Sequence, residues 1–421
     1  MSFEPTLAAA QARLKAVRPA DYARSRNAIE GAVTGLSPYI THGLVTLPEV
    51  LAGVAAQHRL DVGHKFVFEL GWREYFRHVW QHHGNGILQS LHEGLLPKAA
   101  YAPEMPADIR QARTGIPAID TAVRKLYATG YLHNHARMWL ASYIVHIRKV
   151  HWRAGADWML AHLLDGDLAS NHLSWQWVAG TGSTKPYLFN AENVEKYAPP
   201  DWHSPDSVID TSYAALDAIA RSPHALAEPS EVEGVEEPAV SPTPPNATAP
   251  DAALVAGRNV WLVHPWALRL PRDLPAHTLC IGIYLAEFHS AWPWSDKRWG
   301  FVSTRMAELT TARWHADTAT LHQALRGARS VHTVADPHVD LSALAQVQPA
   351  PLLFAEVARP CTSFAQWWTR TTRGITQLHD LPGLASLSAG PLFDHPPESF
   401  PHDNHISPDR PGDRRTRWHR P

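Results

Sequence analysis

Cysteine is nearly missing from this chain: its 421 residues hold two, Cys280 and Cys361. Two thiols cannot build a four-cysteine zinc or iron–sulfur site, and they supply no disulfide framework. Long apolar runs are missing as well. No stretch approaches the roughly 20 residues of a membrane helix, and the opening MSFEPTLAAAQARLKAVRPADYARSR lacks the apolar core and small-residue cleavage site of a secretion signal. These absences predict a cytoplasmic protein with no membrane partner. Excess positive charge is also absent: the formal net charge is −2, so any contact with nucleic acid needs a local patch. What the chain has in plenty is tryptophan, with 17, and histidine, with 27. Indoles in such number fill cores and interfaces, and they also offer stacking surfaces and one-electron relays.

The length predicts more than one domain. Residues 1–213 read as helical, because apolar residues recur at three- and four-residue spacing in FVFELGWREYFRHVW and in IPAIDTAVRKLYATGYLHNHARMWLASYIVHIRKV. Residues 214–256 are rich in proline, alanine and acid, a composition that buries too little apolar surface to fold and reads as a linker. Residues 257–385 then alternate: NVWLVHPWAL, HTLCIGIYL, SVHTVAD and APLLFAEV read as strands, and Phe301 to Leu325 as one helix. That order predicts a small α/β domain with a parallel sheet. Residues 386–421 read as a disordered, weakly basic tail.

Three segments of the helical part carry unusual residue sets. On a helix over Phe66 to Trp80, Glu69, Trp72, Arg73 and Phe76 share one face, and a carboxylate, an indole and a guanidinium together are not an ordinary core stripe. A second helix brings Asn134, Arg137 and Met138 to one face, after His133. The third, LLDGDLASNHLSWQW, crowds Asp165, Asp167, Asn171, Trp175 and Trp177 into 13 positions, with the Asp-Gly-Asp turn placing two carboxylates at a helix start. Structural alternatives exist for each, in an edge ion pair, a capped helix and packed indoles.

The blocks GAVTGLSPYITHG, ELGWREYF, TGIPAIDTAVRKL, GYLHNHARMWLASYIV, VHWRAGADW and DGDLASNHLSWQWVAGTG follow one another in a familiar order and near-familiar spacing. On them the chain resembles the helical FAD-binding domain of DNA photolyases and cryptochromes, over about residues 20–200. The resemblance implies a fold class of several domains: an all-α photolyase-type FAD-binding domain, then a small α/β domain, which resembles only faintly the family's antenna domain in permuted order. It implies FAD as cofactor and leaves open whether an antenna pigment binds. By position, Tyr22, Thr34, Leu36 and Ser37 match the segment that holds the flavin diphosphate, and Arg73 a residue near the adenine side. Arg137 and Asp165 match an ion pair beside the flavin ring, Asp167 a further flavin contact, and Asn171 a residue that tunes the flavin. Glu69, Trp72, Asn134, Met138 and Trp177 match the cavity that receives a flipped-out pyrimidine dimer. Trp175 and Trp152 match two of three indoles that pass electrons from the surface to the flavin; the third is absent, leaving Trp80, Tyr101, Trp139 or Trp158 to stand in. The implied partner is UV-damaged DNA and the implied enzyme a deoxyribodipyrimidine photo-lyase, a carbon–carbon lyase driven by blue light. The alternative is a cryptochrome-like photoreceptor without repair activity.

The chain departs from that pattern at Gly35 and His135, where arginine is usual, and at Ile109, where an indole is usual. Both arginine losses weaken the expectation of DNA binding more than that of FAD binding. Gly180 to Lys185 is not spaced as a phosphate loop, and neither His82-His83 nor His133 with His135 has zinc-ligand spacing on a helix.

Overall fold

A computed structural model describes residues 2–227 and 230–387. Beyond Leu387 the expected polar tail lies outside the described residues.

The helical domain is built around four elements that matter for the site. They are α1 (Lys65–His83), α2 (Asn134–Ser142), α3 (Trp152–His162) and α4 (Leu168–Ala179). Their starts account for part of the histidine content. His64, His133 and His151 are the N-caps of α1, α2 and α3, each accepting a backbone N–H two residues on at 3.1–3.2 Å. Helix α4 is capped by Asp167, which accepts from Ser170 N at 2.8 Å, and it ends at Gly180 in the left-handed region (φ 73°). A helix over Tyr213–Arg221 carries the helical part past residue 213.

The second domain holds a five-stranded, wholly parallel sheet: β1 (Asn259–Val263), β2 (Leu279–Leu285), β3 (Ala312–Ala316), β4 (Ser330–Val334) and β5 (Gln346–Gln348), ordered β3-β2-β1-β4-β5. The apolar runs of β1 and β2 do not alternate, as expected for strands covered on both faces. This is a doubly wound order, whose crevice opens beyond the carboxyl ends of β1 and β4, where the direction of winding reverses. His264, Trp266, Asp336 and His338 stand there, and Asp336 and His338 reach Arg77 and Leu168 of the helical domain.

Three expectations need correction. The single helix expected over 301–325 is two helices, Asp296–Leu309 and Thr318–Leu325, with strand β3 between them. Asp317 caps the second by accepting from Thr320 N, and the intervening ARWHA pairs with β2 along its length. APLLFAEV forms no strand: the N–H groups of Leu353 and Phe354 donate to the Glu74 carboxylate at 2.6 and 3.0 Å, so no sheet neighbour is required. The described part of the proline-rich stretch is not free of the fold. Glu237 accepts from Trp158 Nε1 at 3.0 Å and pairs with Arg110, Val235 packs on the helical core, and Val240–Ser241 pairs antiparallel with Trp294–Ser295. Composition misjudged this stretch because its anchors are polar and reach partners far away in sequence.

The domains share a core. Tyr39, Leu51 and Phe66 of the helical part belong to one buried cluster with Trp266, Trp299 and Phe301 of the second. Each such side chain contributes roughly 1.5–3 kcal/mol on burial, so several together make the docking part of the folded state. A separate cluster around Trp139, Trp152, Trp175 and Trp202 belongs to the helical part. Among the described residues, no helix is long and apolar enough to cross a membrane.

Candidate functional site

A cavity of about 310 Å³ opens among α1, α2, α3 and α4. Helix α1 supplies Glu69, Trp72, Arg73 and Phe76 at the spacing read from sequence; α2 supplies Asn134, Arg137 and Met138; α4 supplies Asn171 and Trp175. Tyr22, Ser37, Asp165 and Asp167 are the other predicted residues that line it. Trp152 packs beneath the wall, donating to Ser90 Oγ at 3.0 Å. Thr34 and Leu36 stand behind the lining: Thr34 Oγ1 accepts from Leu36 N, and Leu36 is buried in the core. Trp177 is not part of the cavity; it points outward from α4, 42% exposed, tilted against Tyr187.

Charge is concentrated on one side. Arg137 Nη2 donates to both oxygens of Asp165 at 2.9 and 2.8 Å, and Ser37 Oγ donates to Asp165 Oδ2 at 2.6 Å. Burial works against ionisation of Asp165, yet the Arg137 guanidinium and these hydrogen bonds hold its pKa below the usual carboxylate range. Burial works against Asp167 too, and the nearby Arg73 and Arg77 guanidiniums hold its pKa well below the usual carboxylate range. Three buried polar atoms at the cavity have no hydrogen-bond partner: Arg73 Nη1, Asp167 Oδ2 and Ser170 Oγ. Buried groups of this kind are costly to leave unpaired, so they mark where a polar ligand fits.

On the other side, Glu69 pairs with Lys65 at 2.8 Å and Arg26 at 3.3 Å, and Asn134 lies over Met138 Sδ. One face of Trp72 is covered by Phe364 of the second domain, stacked at 4.0 Å and 14°. His135 stacks on Tyr197, and burial with the nearby Arg26 pushes its pKa down to about 4, so it carries no charge at neutral pH. Gly35 sits at φ 62°, a conformation in which a side chain is strained.

Residues 66–201 match the model of the FAD binding domain of DNA photolyase. The helical domain is a photolyase-type FAD-binding domain. A deoxyribodipyrimidine photo-lyase of Synechococcus is 33% identical over 214 residues, which cover 46% of this chain and 43% of that protein. A cryptochrome DASH of Idiomarina loihiensis is 31% identical over 189 residues, 42% of each chain. The crystal structure of a Synechocystis cryptochrome aligns at 30% identity over 47% of this chain and 44% of its own, with a TM-score of 0.41. The chain thus spans about two-fifths of the length of these curated relatives. FAD is the cofactor of this domain, and the donor set fits it: two guanidiniums and two carboxylates, with unpaired N–H and oxygen atoms among the lining residues.

Sequence reasoning missed several residues of the site. Tyr131 and Met159 line the cavity; Tyr131 belongs to a block quoted for the resemblance and was within reach of it. Arg77, one turn beyond Arg73, holds Asp336 of the second domain at 3.1 Å. His338 and Arg298 also come from the second domain and had no local signal. Of the stand-ins for the missing outer indole, Trp80, Trp139 and Trp158 are all buried. Two aromatic paths lead outward from Trp152. One passes His151 (5.7 Å) to half-buried Tyr101 (6.3 Å); the other passes His172 (6.2 Å) to half-buried Trp292 of the second domain (5.4 Å), with both contacts of His172 edge-on.

Proposed function

We propose that the chain is a blue-light-driven DNA photolyase that splits UV-induced pyrimidine dimers. One observation carries this reading: Glu69, Trp72, Asn134 and Met138 line the same cavity as Arg137, Asp165, Asp167 and Asn171, so a lesion and the flavin would meet there. Bound FAD would supply the light-excited electron, and the chain's residues position, pair and exclude water. Arg137 and Asp165 would hold the flavin ring, with Arg73 and Asp167 on the charged side. Trp72 offers a flat wall for an unstacked base, and Glu69 and Asn134 offer hydrogen bonds to base edges. The reading predicts light-dependent repair of cyclobutane dimers by the purified, FAD-loaded chain, scored by restored transformation of irradiated plasmid. Loaded protein that binds the irradiated plasmid yet repairs nothing under blue light would sink it.

The second reading, a cryptochrome-like photoreceptor, is favoured by the uncharged His135 and by Gly35, which leave less fixed positive charge for a phosphate backbone. Trp175 and Trp152 serve as the relay in either case, and half-buried Trp292 is the indole at its end. An indole loses an electron without first giving up a proton. A phenol such as Tyr101 is oxidised readily only as its proton leaves, and burial raises the pKa of that hydroxyl. Trp292→Phe is therefore expected to slow photoreduction with an added thiol at least tenfold. Tyr101→Phe should leave the rate as it was; the opposite ranking would assign the exit to Tyr101.

A further inference from the structure

Two side chains of the second domain grip the Asp165-Gly166-Asp167 turn. Arg298 is buried and donates from Nη1 to Leu160 O at 3.0 Å and from Nη2 to Gly166 O at 2.5 Å, with its guanidinium 3.9 Å from the centre of the Trp294 ring. Burial pushes its pKa down to about 9. A Cβ on Gly166 would stand 2.5 Å from Arg298 Nη1, so the turn accepts this grip only with glycine at its centre.

His338 takes hold two residues later, at Leu168. Leu168 N–H donates to His338 Nε2 at 3.1 Å, and Nδ1 lies 2.6 Å from Asp336 Oδ1, which is itself anchored because Asp336 Oδ2 accepts from Arg77. With the Leu168 N–H donated to Nε2, the ring proton sits at Nδ1, facing Asp336 Oδ1, so these contacts fix the tautomer. The ring is held flat against Trp266 (4.5 Å, 7°) and edge-on to Trp80 (4.9 Å, 83°). Its Nε2 stands 3.7 Å from Asp167 Oδ2, the cavity oxygen that lacks a donor.

Leu168 is the first residue of α4, and Asp167 is its cap. The first turn of α4 therefore depends on an atom of the second domain, and three cavity residues, Asp167, Asn171 and Trp175, hang from that turn. We propose that His338 is a positioning residue of the flavin site: by accepting the Leu168 N–H it fixes the start of α4 and the direction of the Asp167 carboxylate. The second domain is then a structural part of the flavin site as well as its neighbour. The inference rests on reading the cavity as the flavin site.

Three substitutions in the full chain separate positioning from packing. In His338→Gln the side-chain oxygen can replace Nε2 as acceptor. His338→Asn keeps only the reach to Asp336, and His338→Phe keeps only the stack between Trp266 and Trp80. Two measurements apply to each: amide hydrogen exchange over residues 168–175 in flavin-free protein, and the FAD dissociation constant by fluorescence titration. If His338 positions α4, the Gln variant stays near the parent in both. The Asn and Phe variants exchange about tenfold faster and bind FAD about tenfold more weakly, the expected cost of one buried hydrogen bond. A Phe variant that matches the parent while the Gln variant loses both properties overturns the proposal and reduces His338 to packing. A parent chain that takes up no FAD overturns the flavin reading instead, and the exchange comparison still decides what His338 does to α4.

Discussion

Acidification from pH 6.5 to 4.5 is expected to unfold the chain, well above the pH at which its paired carboxylates titrate. His78, His133 and His146 are buried, and burial first, with neighbouring positive charge, pushes each pKa down to about 4. Two of the rings act as acceptors: His133 Nδ1 takes the His135 N–H that starts α2, and His78 Nε2 takes the N–H of Cys361. A protonated ring cannot do this. Unfolded, each would bind a proton from about pH 6.5 downward, whereas folded each stays neutral to about pH 4. Protons therefore bind the unfolded chain preferentially across that window, so the stability these rings contribute is complete above pH 6.5 and is lost as the pH falls. Three such protons cost about 3–4 kcal/mol per pH unit, against a total stability of roughly 5–15 kcal/mol. Thermal melting followed by circular dichroism from pH 7.5 to 4.5 should show a steep fall in Tm. His146→Gln, which can still donate to Val178 O as His146 Nε2 does, should make that fall shallower. A Tm constant down to pH 5 would show that the buried rings do not titrate as their surroundings require.

The number of histidines was plain in the sequence, but their burial was not, because it depends on which faces meet. The cavity is the converse case. Glu69, Trp72, Arg73 and Phe76 share a face through nothing more than helical period, and the blocks around Asn134 and Asp165 carried their own unusual residues. Local pattern therefore found most of the lining. It could not find Arg298 or His338, which touch Gly166 and Leu168 across 132 and 170 residues of chain. Trp177 shows the limit in the other direction, since being two residues from Trp175 places it on a different side of the same helix. In the second domain the sheet was legible from the unbroken apolar runs of β1 and β2. Short, half-buried β3 was not, because its residues ARWHA carry no marked apolar run and follow a true helix.

Removing Arg137 is expected to cost more stability than neutralising Asp165, although the two form one ion pair. The asymmetry comes from exposure: the Asp165 side chain is 4% exposed and that of Arg137 24%. Arg137→Ala leaves a buried carboxylate with only Ser37 Oγ as donor, and breaking such a pair from one side typically costs about 3–5 kcal/mol. In Asp165→Asn the amide oxygen still accepts hydrogen bonds, and the guanidinium that loses its partner can be hydrated, so a loss of about 1–2 kcal/mol is expected. Replacing both by apolar residues of similar volume, Arg137→Met with Asp165→Leu, should recover most of the stability lost in Arg137→Ala, because no charge is left buried. Yet this double variant should bind FAD at least a hundredfold more weakly than the parent, since it keeps the shape of the cavity and loses its charged side. Urea unfolding of the four proteins and FAD titration of each measure the two quantities separately. If the double variant is both stable and fully flavin-binding, the pair is dispensable to the cofactor; if it is no more stable than Arg137→Ala, the pair serves the fold. The expected outcome, stability regained without flavin, is what an ion pair kept for its ligand should give.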